Sequence, residues 1–219
     1  MNFNSVLIIT YGRSGSTLLQ GILNSIDGCL VRGENNNFCY HLFKTWQAIN
    51  NATLRNSPEP ENPWYGSHLL NERLFLSQSK NLLYSLLMAD KVHDNAIKCY
   101  GFKEIRYTTL AIHDDFEQFL DFLQKVFPKV AFVFNTRSHT DVARSKWWAE
   151  MQQDEVHNVL NATEANFFDY MKKSPSNTFH ICYEDVLSKN SRLKELFDFL
   201  GANYDECNLE LVLGKKHSY

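Results

Sequence analysis

The chain has 219 residues, of which 44% are hydrophobic, and its formal net charge at pH 7 is −3. This length and apolar content suit one α/β domain with a full core. The mildly negative charge gives no basic field, so we expect no nucleic-acid partner, and any anion site has to be a local cluster.

Targeting and redox patterns predict a cytoplasmic protein. The first residues lack a charged region followed by an apolar stretch of signal-peptide length, and no apolar run approaches the roughly 18 residues of a membrane span. The five cysteines form no C-x-x-C pair, which argues against a disulfide framework or a zinc site and for a reducing compartment.

The first predicted strand, residues 6–10, is an apolar and β-branched run, and a short glycine-containing loop joins it to a helix. This order presents backbone N–H groups at a helix N-terminus, where anions bind. Glycines allow positive φ and close approach, and an arginine adds a planar fork of donors. The candidate anion-binding residues are Gly12, Arg13, Ser14, Gly15, Ser16 and Thr17.

This loop is not the phosphate loop of ATP and GTP enzymes, because that motif requires a Gly-Lys pair after four intervening residues and residues 12–17 contain no lysine. A loop of glycine and serine can also be only a turn. Its place after the first strand, where doubly wound folds bind nucleotides, favours an anion site.

A short second strand ends near Gly33, and Glu34 follows it. Ligands of open α/β sheets bind at the carboxyl ends of strands, which makes Glu34 a candidate site residue. An acidic residue here also fits the dipole of the next helix, and its position alone leaves both interpretations open.

Residues 35–95 predict a helical and loop insertion in a single domain, 1–219, and we expect the insertion to cap the acceptor side. Its loop, 51–67, contains three prolines, and long loops of this kind are often lids. The aromatic pair Trp64 and Tyr65 either lines an acceptor pocket or packs locally.

The rest of the chain alternates between strand and helix patterns. Strand character ends at Lys103 and Glu104, and the most strand-like run leads into Arg137. The basic tail at Lys215 and Lys216 either folds over the ligand or frays. The predicted strands are 96–104, 130–134 and 178–183, and the predicted helices are 112–127, one from about Thr140, 154–173 and a final one at 191–200.

Residues 10–17, Thr-Tyr-Gly-Arg-Ser-Gly-Ser-Thr, resemble the 5′-phosphosulfate loop of sulfotransferases that use 3′-phosphoadenosine 5′-phosphosulfate (PAPS). The arginine at position 13 is closer to the carbohydrate and tyrosylprotein branches than to the cytosolic aryl branch. Residues 101–106 resemble a strand-end motif of bacterial sulfotransferases. Arg137 with Ser145, taken as a helical residue, resembles the 3′-phosphate motif. Residues 183–187 resemble a segment after the last strand, which we take as structural.

The resemblance implies a three-layer, P-loop-like α/β domain with a mostly parallel sheet, and PAPS as co-substrate without a metal. The implied reaction transfers a sulfuryl group to a hydroxyl, or less favourably an amine, of a small-molecule, carbohydrate or peptide acceptor. The implied roles are Glu34 as catalytic base, Arg13 on the bridging oxygen, Lys103 near the sulfuryl oxygens, and Arg137 with Ser145 on the 3′-phosphate; Glu104 and His113 are reserve bases.

Two other classes stay open from the sequence. One is a P-loop-type nucleotide-dependent kinase, which would need ATP and Mg²⁺. The other is a non-catalytic protein that binds PAPS or another nucleotide. Neither the acceptor nor the oligomeric state follows from the residues.

Overall fold

A parallel sheet forms the centre of the computed structural model, which describes residues 1–91 and 93–215. Within these residues the sheet has five strands: β1 (Ser5–Thr10), β2 (Cys29–Arg32), β3 (Cys99–Glu104), β4 (Val130–Thr136) and β5 (Thr178–Cys182). Their order is β2-β3-β1-β4-β5, and every neighbouring pair is parallel. All five carboxyl ends therefore lie at one edge, which we call the carboxyl edge.

Helices cover both faces of the sheet. Their bounds are α1 (Ser16–Asn24), α2 (Phe38–Thr53), α3 (Glu72–Met88), α4 (Leu110–Val126), α5 (His139–Ala143), α6 (Gln153–Lys173), α7 (Tyr183–Ser188), α8 (Ser191–Leu200) and α9 (Glu206–Leu213). One apolar core joins the sheet to α2, α3, α4, α5 and α6, and the other joins it to α1, α7, α8 and α9. The predicted three-layer α/β architecture is confirmed.

The central position of β1 explains why its residues 6–9 are all apolar. Leu7 and Ile9 belong to the core on the α4 side, and Val6 and Ile8 belong to the core on the α1 side. Successive side chains of a strand point to opposite faces, so a strand covered on both faces has no position for a polar side chain facing water.

Two predicted helices differ from the structure. The helix after β4 ends at Ala143, and a 3-10 helix (Lys146–Glu150) follows, because Lys146 has a left-handed backbone with φ 53°. The helix at 191–200 is not the last, since α9 follows it. Asp205 caps α9 by accepting hydrogen bonds from the N–H groups of Cys207 and Asn208.

The predicted insertion, 35–95, contributes α2 and α3 to a layer of the core. The Tyr40 hydroxyl donates to Asp115 Oδ2 at 2.7 Å, and the Gln47 amide donates to Gln118 at 3.1 Å, so α2 runs alongside α4 in the same direction. Both helices thus lead away from the carboxyl edge. The loop that follows the 16 residues of α2 begins about 24 Å along the helix axis from Phe38.

The described helices include none that is both long enough and apolar enough to cross a membrane.

Gly101 in β3 is a close contact between strand backbones. A Cβ at this position would lie 1.7 Å from the carbonyl oxygen of Val6 in β1. We expect Gly101→Ala to lower the free energy of unfolding by about 3 kcal/mol, at the upper end of overpacking costs, because backbone atoms have to move. Gly33→Ala is the matched control, since its Cβ would meet nothing within 4 Å. Equal denaturation midpoints for the two variants would contradict the steric role of this contact.

Candidate functional site

A cleft of about 250 Å³ opens at the carboxyl edge. The loop after β1 forms one wall, and Glu34, Lys103, Arg137 and Tyr183 approach it from the other four strands. Among the described lining residues, four are cations and one is a carboxylate: Arg13, Lys103, Arg137, Lys215 and Glu34. A chain with a net charge of −3 thus concentrates positive charge at the place where strand ends bind ligands.

The two glycines of the loop serve different purposes. Gly15 has a left-handed backbone with φ 78°, as expected, but the second left-handed position is Arg13, with φ 70°. Gly12 is needed for space, since an added Cβ would lie 2.4 Å from Cζ2 of Trp147. Trp148 Nε1 donates to the Gly12 carbonyl at 3.0 Å, which fixes the same peptide. Of the two properties that a glycine allows here, Gly15 supplies the positive φ and Gly12 supplies the close approach.

The first turn of α1 faces the cleft through Gly15, Ser16 and Thr17. No side chain of the described residues caps α1, and its first turn contains no acidic residue. The N–H groups of Ser16 and Thr17 therefore remain available to an anion, whereas the N–H of Leu18 donates to the Gly15 carbonyl at 3.0 Å. Ser14 differs from this set because it is fully buried and its hydroxyl accepts a hydrogen bond from Thr10 at 2.6 Å. The predicted hydroxyl donor at Ser14 is directed into the protein.

Arg13 connects the two predicted phosphate motifs. Its Nε donates to Ser145 Oγ at 2.9 Å, and its carbonyl oxygen accepts from Arg137 Nη1 at 3.2 Å. Ser145 lies beyond the end of α5 with an extended backbone, so its predicted helical placement is wrong. Ser145 is absent from the described cleft lining and reaches the site through Arg13.

Arg137 has unused hydrogen-bonding capacity. Its guanidinium lies 4.5 Å from the centre of the Tyr183 ring, a distance at which a cation and an aromatic face attract. Its Nε is buried and has no hydrogen-bond partner among the described residues. A buried donor without a partner is costly, and an anion in the cleft would supply the acceptor.

Lys103 and Glu34 form an ion pair in which Nζ lies 2.6 Å from Oε1. The lysine side chain is 6% exposed and the carboxylate side chain is 38% exposed. Glu34 is therefore the more accessible partner, and the buried Lys103 fixes the position of its carboxylate. Alternation along β3 sends Lys103 towards the α1 face, where the loop lies, and sends Glu104 towards the α2 face.

Glu104 caps the chain segment that leads into α2. Its Oε2 accepts from the N–H groups of Asn35 at 3.1 Å and Asn37 at 3.0 Å, and its Oε1 accepts from Ile105 at 2.9 Å. It is 2% exposed and does not line the described cleft. These contacts give Glu104 a structural role and do not support its prediction as a reserve base.

His113, the other reserve base, also lies apart from the described cleft lining. Its Nε2 is 2.9 Å from the hydroxyl of Thr163 on α6, and burial lowers the pKa of its imidazole.

Two aromatic residues of the cleft were not assigned to the site from the sequence. Tyr183 was taken as structural, although it follows β5 and the carboxyl-edge rule indicates it. Its ring packs on the loop, where a Cβ on Gly15 would lie 2.1 Å from Cδ2. Trp147 lies on the 3-10 helix, for which the sequence gives no edge signal. At the tail, Lys215 lines the cleft, and Lys216 lies outside the described residues.

Glu104→Gln tests the structural role of this carboxylate. Hydrogen bonds to a charged group contribute about 1.5–3 kcal/mol, and the amide group of Gln would face an N–H donor. We expect the free energy of unfolding to fall by about 2 kcal/mol and Tm by about 4–8 °C, with turnover within threefold of wild type. The control is Glu117→Gln, an exposed carboxylate paired with Lys173. Unchanged Tm with a hundredfold loss of turnover would restore Glu104 as a base.

The chain is similar to several solved structures. The sulfotransferase domain from the curacin biosynthetic pathway is 17% identical, with a TM-score of 0.57 over 97% of this chain and 78% of that chain. A sulfotransferase from Mycobacterium avium is 10% identical, with a TM-score of 0.45 over 97% and 67%. Retinol dehydratase, solved with retinol and PAP, is 18% identical, with a TM-score of 0.41 over 97% and 64%. No curated protein sequence matches the chain significantly.

The sulfotransferase family matches residues 5–206. This range contains all five described strands and every described cleft residue before Leu213. The family indicated by residues 10–17, and its activity of sulfuryl transfer from PAPS, are confirmed: the chain belongs to the sulfotransferase family.

Proposed function

We propose that the cleft binds PAPS between the loop after β1 and the end of β4, and that it transfers the sulfuryl group to an acceptor hydroxyl. An amine is a less favoured acceptor. The observation that carries this assignment is Arg137, whose buried Nε has no partner in the described part of the chain and lies beside a cluster of cations. A nucleotide with anionic groups at both the 5′ and 3′ positions matches a cleft with cations on two walls.

The 5′ side of the nucleotide is assigned to the loop. The first-turn N–H groups of α1 and the hydroxyls of Ser16 and Thr17 are donors that suit phosphate and sulfate oxygens. Arg13 is the cation on this wall, and it stabilises the negative charge that develops on the leaving phosphate as the sulfuryl group departs.

The 3′-phosphate is assigned to Arg137 with Ser145. The guanidinium offers its Nε, which no described residue binds, and it is held in place by the Tyr183 ring and the Arg13 carbonyl. The Ser145 hydroxyl accepts from Arg13 and keeps its own proton for a phosphate oxygen. Ser145 would in this way connect the two anionic ends of the nucleotide.

The reaction is assigned to Glu34 and Lys103. As the acceptor oxygen forms a bond to sulfur, the bond between sulfur and the bridging phosphate oxygen breaks, and Glu34 takes the acceptor proton. The exposed carboxylate can reach an acceptor, and the buried Lys103 holds it. Lys103 also places a positive charge near the sulfuryl oxygens. No step of this proposal uses a metal.

The acceptor side of the protein is assigned to the start of the 35–95 segment, next to Glu34. None of the described residues of this segment lines the cleft, and the proline-bearing loop joins the end of α2 that is remote from the carboxyl edge.

The proposal keeps the chain as one domain, and the acceptor as a small molecule, a carbohydrate or a peptide. The cysteine pattern and the net charge of −3 continue to support a cytoplasmic location without a nucleic-acid partner.

Arg137→Ala tests the nucleotide assignment. Wild-type protein should bind adenosine 3′,5′-bisphosphate at least tenfold more tightly than AMP in calorimetry. The variant should bind adenosine 3′,5′-bisphosphate at least tenfold more weakly than wild type, because hydrogen bonds to charged groups contribute about 1.5–3 kcal/mol. Its affinity for AMP should stay within twofold of wild type. Arg192→Ala is the control, since Arg192 stacks on Phe179 at 4.0 Å and lies outside the described cleft lining. Equal losses of affinity for both nucleotides would refute the assignment of Arg137 to the 3′-phosphate.

Glu34→Gln tests the base. General-base catalysis contributes about 10²–10⁴-fold, so kcat should fall by that factor while affinity for adenosine 3′,5′-bisphosphate stays within twofold. Retained nucleotide affinity also shows that the variant is folded, although Lys103 loses its charged partner. Glu117→Gln serves again as the matched ion-paired control. If Glu34 only interacts with a helix dipole, its replacement should lower the free energy of unfolding by about 0.3–1 kcal/mol and leave turnover intact. That result would exclude Glu34 as the base.

A further inference from the structure

A partly buried polar network lies directly behind the cleft, and its side chains are not among those assigned to nucleotide or acceptor. Its centre is Tyr11, which separates β1 from Gly12 and is fully buried. The Tyr11 hydroxyl donates to Glu164 Oε1 at 2.6 Å and accepts from the backbone N–H of Arg137 at 3.0 Å. Burial and the adjacent Glu164 charge hold the pKa of this phenol well above its usual value, so the hydroxyl remains a donor.

Glu164 connects this hydroxyl to a third part of the chain. Its Oε1 also lies 2.9 Å from Nε2 of His139, the first residue of α5. One carboxylate on α6 thus contacts the loop after β1 and the helix that follows Arg137. A partly buried carboxylate that contacts two other segments restricts their relative positions.

Arg137 is the point at which this network meets the cleft. Its backbone N–H is bound by Tyr11, and its guanidinium donates to the carbonyl of Arg13, two residues further along the same loop. The 5′ wall and the 3′ wall are therefore tied together twice, once behind the cleft and once inside it. A change in either tie alters the distance between Arg137 and the first turn of α1.

We propose that Tyr11 and Glu164 are positioning residues that set the separation of the two anion sites and so select a nucleotide carrying both a 5′ and a 3′ anionic group. This inference rests on the proposed nucleotide assignment. Neither side chain lines the described cleft, so both act through Arg137 and the loop. A nucleotide with a 5′ phosphate alone contacts only the loop, so its affinity does not depend on the separation of the two anion sites.

Tyr11→Phe removes the hydroxyl and keeps the ring. We expect the ratio of affinities for adenosine 3′,5′-bisphosphate and AMP to fall about tenfold, with AMP affinity within twofold of wild type. The matched control is Tyr170→Phe on α6, which removes another buried hydroxyl that lies 3.2 Å from a carboxylate, Asp121. A role limited to core stability predicts the same ratio in both variants, and that result would overturn the proposal.

Glu164 supplies an independent pair of variants if Tyr11→Phe does not fold. Glu164→Ala should lower the affinity ratio about tenfold, because the Tyr11 hydroxyl loses its strongest acceptor. Glu164→Gln should restore most of the ratio, because the amide oxygen still accepts from Tyr11. Equal ratios for Glu164→Ala and wild type would contradict the proposed network.

A double-mutant comparison separates this inference from the proposed function. In an Arg137→Ala background, Tyr11→Phe should change the affinity ratio by less than twofold, since both changes act through the same residue. Full additivity of the two changes would refute positioning through Arg137. If wild-type protein does not prefer the bisphosphate to AMP, the nucleotide assignment itself fails. If it does and Tyr11→Phe keeps the preference, only the positioning role fails.

Discussion

Parallel pairing of β1 with both β3 and β4 is the constraint on which the cleft depends. Ile9 pairs with Glu104 on one side and with Phe134 on the other, so the three strands end at nearly the same height. The residues that follow them, or that end them, then meet at one edge without any further folding device. Because β1 lies between its neighbours, the glycine loop occupies the middle of this edge, where a ligand can contact the groups at several strand ends.

Charge is distributed in the same way. The chain as a whole is slightly acidic, yet the described cleft residues include four cations and one carboxylate. Three of the cations are fixed: Lys103 by Glu34, Arg13 by Ser145, and Arg137 by the Tyr183 ring and the loop carbonyl. Donors held in place before a ligand arrives need little reorganisation when negative charge develops, which is the condition for electrostatic catalysis.

Two acidic residues near the ends of β2 and β3, Glu34 and Glu104, differ in their surroundings and therefore in the roles they can have. Glu34 is partly exposed and ion-paired, whereas Glu104 is buried and accepts hydrogen bonds from two backbone N–H groups just before α2 and from that of Ile105 after β3. Both carboxylates lie near the same edge. Their different surroundings follow from β3, because its two-residue period sends Lys103, the partner of Glu34, to the α1 face and sends Glu104 to the α2 face.

The sequence by itself determined the layered fold and the alternation of strands and helices, and it located the glycine loop after the first strand, because continuous apolar runs, helical spacing and glycine loops are local patterns. It did not determine that Gly12 is required by Trp147, that Ser14 faces inward, or that Tyr11 reaches Arg137 across 126 positions. These are contacts between segments distant in sequence, and local patterns carry no information about them. Only the packing of β1 against β4 and α6 decided which side chains of the loop serve the cleft and which serve the core.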